Sequence, residues 1–323
     1  MCLAACLPAA AADAVSPVDI EEWTVPYGSS RPRDPDAVGD REVWFVGQRG
    51  DYLARLDPGP GDCVRRDLER NTGPHNLIVG ADGVVWYAGN RQGHIGRYDP
   101  ASDTIEKIAM PDDAARDPHT LIFDAGERQI WFTVQNGNFV GRLRVADRSV
   151  DLIPVPSRGA RPYGIVVSPD GVAWIALFGT NKLASVDPET LTLTEHPLPV
   201  SGARPRRLGL TSDGQVYFVD YARGRLGRLD PGSGAVREWP MPSGRRARPY
   251  GMAIDGQDRI WFVESGPSPN NFVGFDPATE AFFSVTPIPS GGGSVRHMDY
   301  DSGTGTVWFG TDRNTIGRAR VGR

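Results

Sequence analysis

Five segments between positions 74 and 108 decide the fold: Pro74-His75-Asn76-Leu77-Ile78-Val79, Asp82-Gly83, Val84-Val85-Trp86-Tyr87, His94-Ile95-Gly96-Arg97-Tyr98-Asp99-Pro100 and Thr104-Ile105-Glu106-Lys107-Ile108. Four short runs rich in β-branched and aromatic residues, punctuated by turn residues, describe four strands, A to D. Asp82-Gly83, Asp170-Gly171 and Asp213-Gly214 suit tight A–B hairpins, because glycine accepts the positive φ such turns need. The glycines at the third strand (Gly96, Gly141, Gly227, Gly317) suggest close backbone packing between neighbouring units.

The unit recurs along the chain. Its aromatic returns as Trp44, Trp86, Trp131, Trp174, Tyr217, Trp261 and Trp308, at spacings of 42, 45, 43, 43, 44 and 47 residues. A period of about 40 to 50 residues with an aromatic signature means propeller blades, each burying its faces against its neighbours. The expectation is an all-β, seven-bladed β-propeller of four-stranded blades over residues 15–323. The segment Ile20-Glu21-Glu22-Trp23-Thr24-Val25-Pro26 reads as a D strand with no A–C before it. Ile316-Gly317-Arg318-Ala319-Arg320 reads as a C strand with no D after it. The first strand is therefore expected to complete the last blade and close the ring.

Composition agrees. The chain has 323 residues with 39 Gly and 28 Pro, favouring turns and short strands over long helices. A net charge of −5 excludes a uniformly basic nucleic-acid binder, and no run suits a transmembrane helix. Met1 to Ala14 resembles a secretory leader, so a periplasmic or secreted protein is expected; Leu3-Ala4-Ala5-Cys6 also resembles a lipobox, with Cys6 the lipidated residue. Cys63 is the one cysteine outside that leader, which leaves no partner for an internal disulfide. A monomer is expected.

The residue just before each innermost strand faces the channel mouth. Counted eleven or twelve residues back from each aromatic, these positions read Arg33, His75, His119, Tyr163, Arg206, Tyr250 and His297. Three of the five histidines of the chain stand here, which points to titratable groups gathered at one mouth; the plain alternative is a plug of the channel. At the end of strand B, Asp220 and Glu264 are acids at the same mouth. They are candidates for a general base or for hard ligands of a divalent cation, or else are loop acids pairing with arginine. Mouth-side loops hold 18 Arg against seven Asp and Glu, a balance of about +11, which suits an anionic ligand. Arg33, Arg206 and Arg248, with Tyr163, are the expected substrate-binding residues.

These motifs (Pro-His-x-Leu/Ile, Trp-Phe-Thr/Val, Ile-Gly-Arg-x-Asp-Pro, a strand ending in Pro-x-Pro) resemble the virginiamycin B lyase, or streptogramin lyase, family from Ile20 to Arg320. The resemblance implies a seven-bladed propeller that linearises cyclic streptogramin B antibiotics, and so confers resistance, by a magnesium-dependent elimination at an ester. It implies an active set around the last two blades: a His opening the penultimate blade, Glu-x-His opening the last, and a Glu after Trp-Phe-Thr. Here those positions carry Tyr250, Val295, His297 and Thr311, so one of the four is retained. Glu264 follows Trp-Phe-Val one blade early, and His75 with Asp117-Pro118-His119 repeats the His, acid-x-His pattern on adjacent blades. Two functions follow as expectations. One is a lyase on an ester or lactone, with His297, or His75 and His119, as base, Tyr250 in the set, and Asp117, Glu264 or Asp220 holding Mg²⁺. The other is a non-catalytic binding or sensing propeller with a basic mouth.

Overall fold

The computed structural model describes residues 16–322; the leader and Cys6 lie outside the described residues. Its 28 strands form seven four-stranded antiparallel sheets, with two short 3-10 turns among them. The innermost strands are β2 (Pro32–Ala37), β6 (Pro74–Val79), β10 (Pro118–Phe123), β14 (Pro162–Val167), β18 (Pro205–Leu210), β22 (Pro249–Ile254) and β26 (Val295–Asp301). The predicted closure is present. β1 (Asp19–Thr24) pairs antiparallel with β28 (Thr315–Arg320), from Asp19 opposite Arg320 to Thr24 opposite Thr315. Arg320 pairs with Asp19 at 3.2 Å, and Glu22 accepts hydrogen bonds from Ser290 N (2.6 Å) and Thr315 Oγ1 (2.6 Å).

Why the aromatic recurs is visible in the packing. Strand B is buried on both faces, so alternate residues serve different interfaces. Trp131 packs among Val140, Ile165 and Ile175, in the seam with the following blade, while its neighbour Phe132 packs among Trp86, Ile95 and Leu121 in the preceding seam. Trp44, Trp86, Trp174, Tyr217, Trp261 and Trp308 repeat the arrangement, with Trp308 reaching Val43 and Phe45 across the closure. Each seam thus has its own apolar core, and the seven seams together make one ring.

The strand-C glycines have a different reason from the one expected. A Cβ on Gly96, Gly141, Gly227 or Gly317 would strike Tyr87, Phe132, Phe218 or Phe309, the aromatic on strand B of the same blade. The constraint lies within a blade, where the ring lies flat over its cross-strand partner, and not between blades. The hairpin glycines behave as expected, Gly83 lying at φ +79°.

Candidate functional site

Every innermost strand begins with the same irregularity. Pro74 faces Gly89 and Leu77 faces Tyr87, so His75 and Asn76 together oppose Ala88. The same one-residue bulge follows Pro118, Pro162, Pro205, Pro249 and Val295, and in the first blade it falls one residue later, after Arg33. A bulge bends the strand and re-aims its side chains. Here it directs two successive residues per blade toward the axis and so builds two tiers. By register the outer tier is Arg33, His75, His119, Tyr163, Arg206, Tyr250 and Arg296. The inner tier holds Asp34, Asn76, Thr120, Arg207 and His297 with two glycines, Gly164 and Gly251.

This corrects the sequence-derived ring at one position. Val295 opposes Thr311 and Met298 opposes Phe309, so Arg296 is the counterpart of His75, and His297 lies one tier deeper. The last blade carries the extra hairpin residue that the third blade also carries, and counting back from Trp308 missed it. Arg296 instead turns to Asp312, its Nη2 2.6 Å from Oδ2.

The outer tier is a plug rather than an open floor. Arg33, Tyr163 and Tyr250 are each 3% exposed and His119 is 2% exposed. The His75 and His119 rings lie 3.6 Å apart and the His119 and Tyr163 rings 4.2 Å apart. His75 Nδ1 lies 3.1 Å from the His119 carbonyl, and His119 Nδ1 lies 2.8 Å from Thr120 Oγ1. Burial, with neighbouring guanidiniums, holds both imidazoles well below their ordinary pKa, so they are neutral at pH 7. Burial and Arg207 press His297 down to about 3. The phenols of Tyr163 and Tyr250 hydrogen-bond directly to one another. Burial raises Tyr163, but Arg206, Arg33 and Arg207 together outweigh it and lower the phenol; burial keeps Tyr250 raised.

Arg206 sits in a cage of four rings. Its guanidinium carbon is 3.6 Å from the Tyr250 centroid, 4.5 Å from Tyr221, 4.6 Å from Phe178 and 5.0 Å from Tyr163. Such contacts stabilise a desolvated cation. Phe178 and Tyr221 were not singled out from the sequence, although each is an aromatic directly following the end of a strand B. Beneath the cage, Asp34 is buried and held in the left-handed region at φ +48°. It accepts from Arg33 Nε at 2.9 Å and from Asn76 Nδ2 at 3.3 Å, with Arg207 Nη2 at 3.6 Å. Burial alone would raise its carboxyl; Arg33, His297 and Arg207 lower it instead. Asp34 and Arg207 were likewise absent from the predicted set, since nothing in the repeat marks the second bulge position as facing inward.

The proposed metal ligands do not converge. Asp117 accepts from Asn136 N (2.8 Å), Asn136 Nδ2 (2.8 Å) and Gly137 N (3.0 Å). Asp220 accepts from Arg204 N (3.0 Å) and Ala222 N (3.1 Å), and Arg223 lies 3.2 Å away. Glu264 accepts from Ser243 N (2.9 Å) and Asn271 Nδ2 (3.1 Å). Each acid clamps a D–A loop to the B–C loop of its blade, as Asp51 does through Asn71 N and Gly73 N. Among the described residues no group of three or more His, Cys, Asp and Glu could hold a metal ion. At the remaining implied positions Val295 is apolar and fully buried, and Thr311 Oγ1 is hydrogen-bonded to Thr315 Oγ1 at 2.7 Å. The residues present therefore do not fit a magnesium centre.

The rim is different in character. Arg49, Arg116, Arg158, Arg161, Arg248 and Arg313 are exposed there, and among the described residues none has a carboxylate within ion-pair distance. Bounded by the observed strands, these loops hold 13 Arg against six Asp and Glu, Glu69 among them, a balance of about +7. Arg248 thus stands on the open rim, whereas Arg33, Tyr163 and most of Arg206 are sealed in the plug.

The sequence profile of the virginiamycin B lyase family matches residues 18–319. A streptogramin B lyase structure superposes with a TM-score of 0.83 at 23% identity, covering 94% of this chain and 98% of that one. The virginiamycin B lyase of Staphylococcus aureus superposes at 0.83 with 21% identity, covering 94% and 99%. A catalytically inactive His-to-Ala variant of the Staphylococcus aureus enzyme with quinupristin gives 0.84 at 21% identity over the same shares. No curated protein sequence matches the chain.

Proposed function

The chain belongs to the virginiamycin B lyase family, and on that premise we propose that it is a ligand-binding member whose basic mouth captures an anionic small molecule without metal-dependent elimination. The observation that carries this is the pairing of an unpartnered arginine rim with a plug that itself holds three guanidiniums and one carboxylate, Arg33 and Arg207 pairing with Asp34 and Arg206 held among aromatic rings. A concave surface of one sign over a low-dielectric floor concentrates oppositely charged ligands. Arginine forks suit carboxylates and phosphates. The solved relatives supply the precedent of a small molecule held on this fold, one of them with quinupristin.

Calorimetric titration with citrate, a polyphosphate and a neutral sugar at low and high salt tests the proposal. The expected result is saturable anion binding that weakens roughly tenfold or more as salt rises from about 50 to 500 mM, because exposed charges are screened. Neutral and anionic ligands binding alike would remove it.

A lyase reading rests on one feature, the buried phenol pair of Tyr163 and Tyr250, hydrogen-bonded to one another with Arg206, Arg33 and Arg207 lowering Tyr163. Magnesium-independent ring opening of a streptogramin B, seen by mass spectrometry and lost in Tyr163→Phe, would favour that reading over a pure binding module.

A further inference from the structure

Below the plug the channel reopens. Between Arg207 and the A–B hairpins the innermost strands enclose a cavity of about 370 Å³, bounded at its outer end by residues such as Val167, Leu210, Ile254 and Tyr300. It faces away from the arginine rim. Its wall is apolar, with Leu77, Ile122, Ile165, Leu208 and Met252 among the lining residues.

Its two ends carry opposite charges. The inner end is Arg207, His297 and Thr120. Arg207 is 3% exposed, and its Nη2, 3.6 Å from Asp34 Oδ2, makes no hydrogen bond; His297 Nδ1 is also buried without a partner. The outer end carries Asp36 and Asp299. Asp36 Oδ2 accepts from Val79 N at 2.8 Å and Asp299 Oδ2 from Ala37 N at 3.3 Å. Among the described residues neither carboxylate has an ion-pair partner, and the nearby charges acting on Asp36, from Asp299, Glu127 and Asp301, are of its own sign.

An uncompensated charge in a desolvated site is costly, and here Arg33 and Arg207 share the single carboxylate of Asp34 at one end while Asp36 and Asp299 have no cation at the other. His297 and Asp299, like Asp34 and Asp36, stand two residues apart on one strand, a rise of about 7 Å. We propose that the channel is a second binding site, entered from the hairpin face, for a zwitterion whose ammonium and carboxylate are separated by an apolar body. Apolar dipeptides and medium-chain ω-amino acids have that chemistry. The carboxylate meets Arg207 Nη2, the ammonium lies at Asp36 and Asp299, and the body lies along the Leu, Ile and Met wall.

The test is calorimetric titration of the full chain with ω-aminohexanoate, Leu-Leu, hexanoate and hexylamine. The zwitterions are expected to saturate, and the analogues that lack one charge to bind at least roughly tenfold more weakly, the loss of one charge-assisted contact. Asp299→Asn is expected to weaken ω-aminohexanoate but not hexanoate. Val166→Trp, which fills the cavity, is expected to abolish zwitterion binding while leaving anion binding at the mouth intact, so the two sites fail separately. Hexanoate or hexylamine binding as tightly as the zwitterion, no saturable heat from any ligand, or full affinity in a folded Val166→Trp variant would each overturn the proposal. Should Val166→Trp not melt cooperatively, the comparison of ligands on the unaltered protein decides.

Discussion

At the scale of single residues, the three channel histidines are held neutral by burial beside guanidiniums, and that has a consequence for acid stability. His297 has its pKa pressed from 6.5 to about 3. The unfolded chain takes up a proton at this residue as the pH falls below 6.5, whereas the folded chain refuses it until about 3, so stability is lost across that window. Asp36 and Asp299 act in the opposite sense, because the folded state raises both, Asp299 to about 6. Comparing one variant with the parent isolates the histidine. His297→Gln should flatten the fall in unfolding free energy between pH 6.5 and 4.5 by up to about 1.4 kcal/mol per pH unit. Urea denaturation at several pH values measures it, and an unchanged slope would show that the imidazole titrates normally in the fold. At this scale the sequence exposed six of the seven outer-tier residues, because proline and the aromatic period mark those positions; it missed Arg296, which follows Val295 rather than a proline and precedes a longer hairpin. It did not expose Asp34 or Arg207, whose inward aim comes from a bulge that no residue announces.

At the scale of elements, strand B carries the architecture. A tryptophan on one face and an aromatic or branched residue on the other connect a blade to both of its neighbours, so the seam cores depend on strand B more than on the exposed D strands. Trp131 is fully buried in the seam between the third and fourth blades. Trp131→Ala should cost about 3–5 kcal/mol, the range for truncating a large buried aromatic. Exchanging Glu106, which pairs with Arg148 at 3.3 Å on an exposed D strand, for Gln should cost less than about 1 kcal/mol. Chemical denaturation of both variants checks the contrast, and equal losses would mean that the seams do not dominate. The loop acids belong to this scale too. From sequence, Asp220 and Glu264 read either as ligands or as loop acids pairing with arginine, and Asp117 as a ligand, since a carboxylate beside a strand end has the same appearance in each role. The nearby backbone N–H groups decide for support, and those are positioned by loop geometry.

At the scale of the whole molecule, closure is the critical contact. β1 supplies the outer strand of the last blade, and six residue pairs join it to β28. Without it, β28 would be an exposed strand edge and Glu22 could not bind Ser290 and Thr315. A chain beginning at Val25 should melt at least about 10 °C lower than one beginning at Ser16, and should self-associate through the open edge. Scanning calorimetry with light scattering tests both effects; a truncated chain that melts as the longer one does would show that the seams alone hold the ring.

The sequence by itself determined the number of blades, their four-strand grammar and the way the ring closes. Each is written in a local pattern that repeats, and seven copies of one pattern admit few arrangements. It also determined the positive rim, because arginines in loops at one end of every blade add whatever the details of packing. Only the tertiary structure decided that the mouth is plugged, that Arg206 is caged by four rings, that the candidate ligands are dispersed, and that a charged-ended cavity lies beneath. Those features depend on side chains converging from seven separate strands, and a one-residue bulge or a longer hairpin moves a residue from one tier to the next.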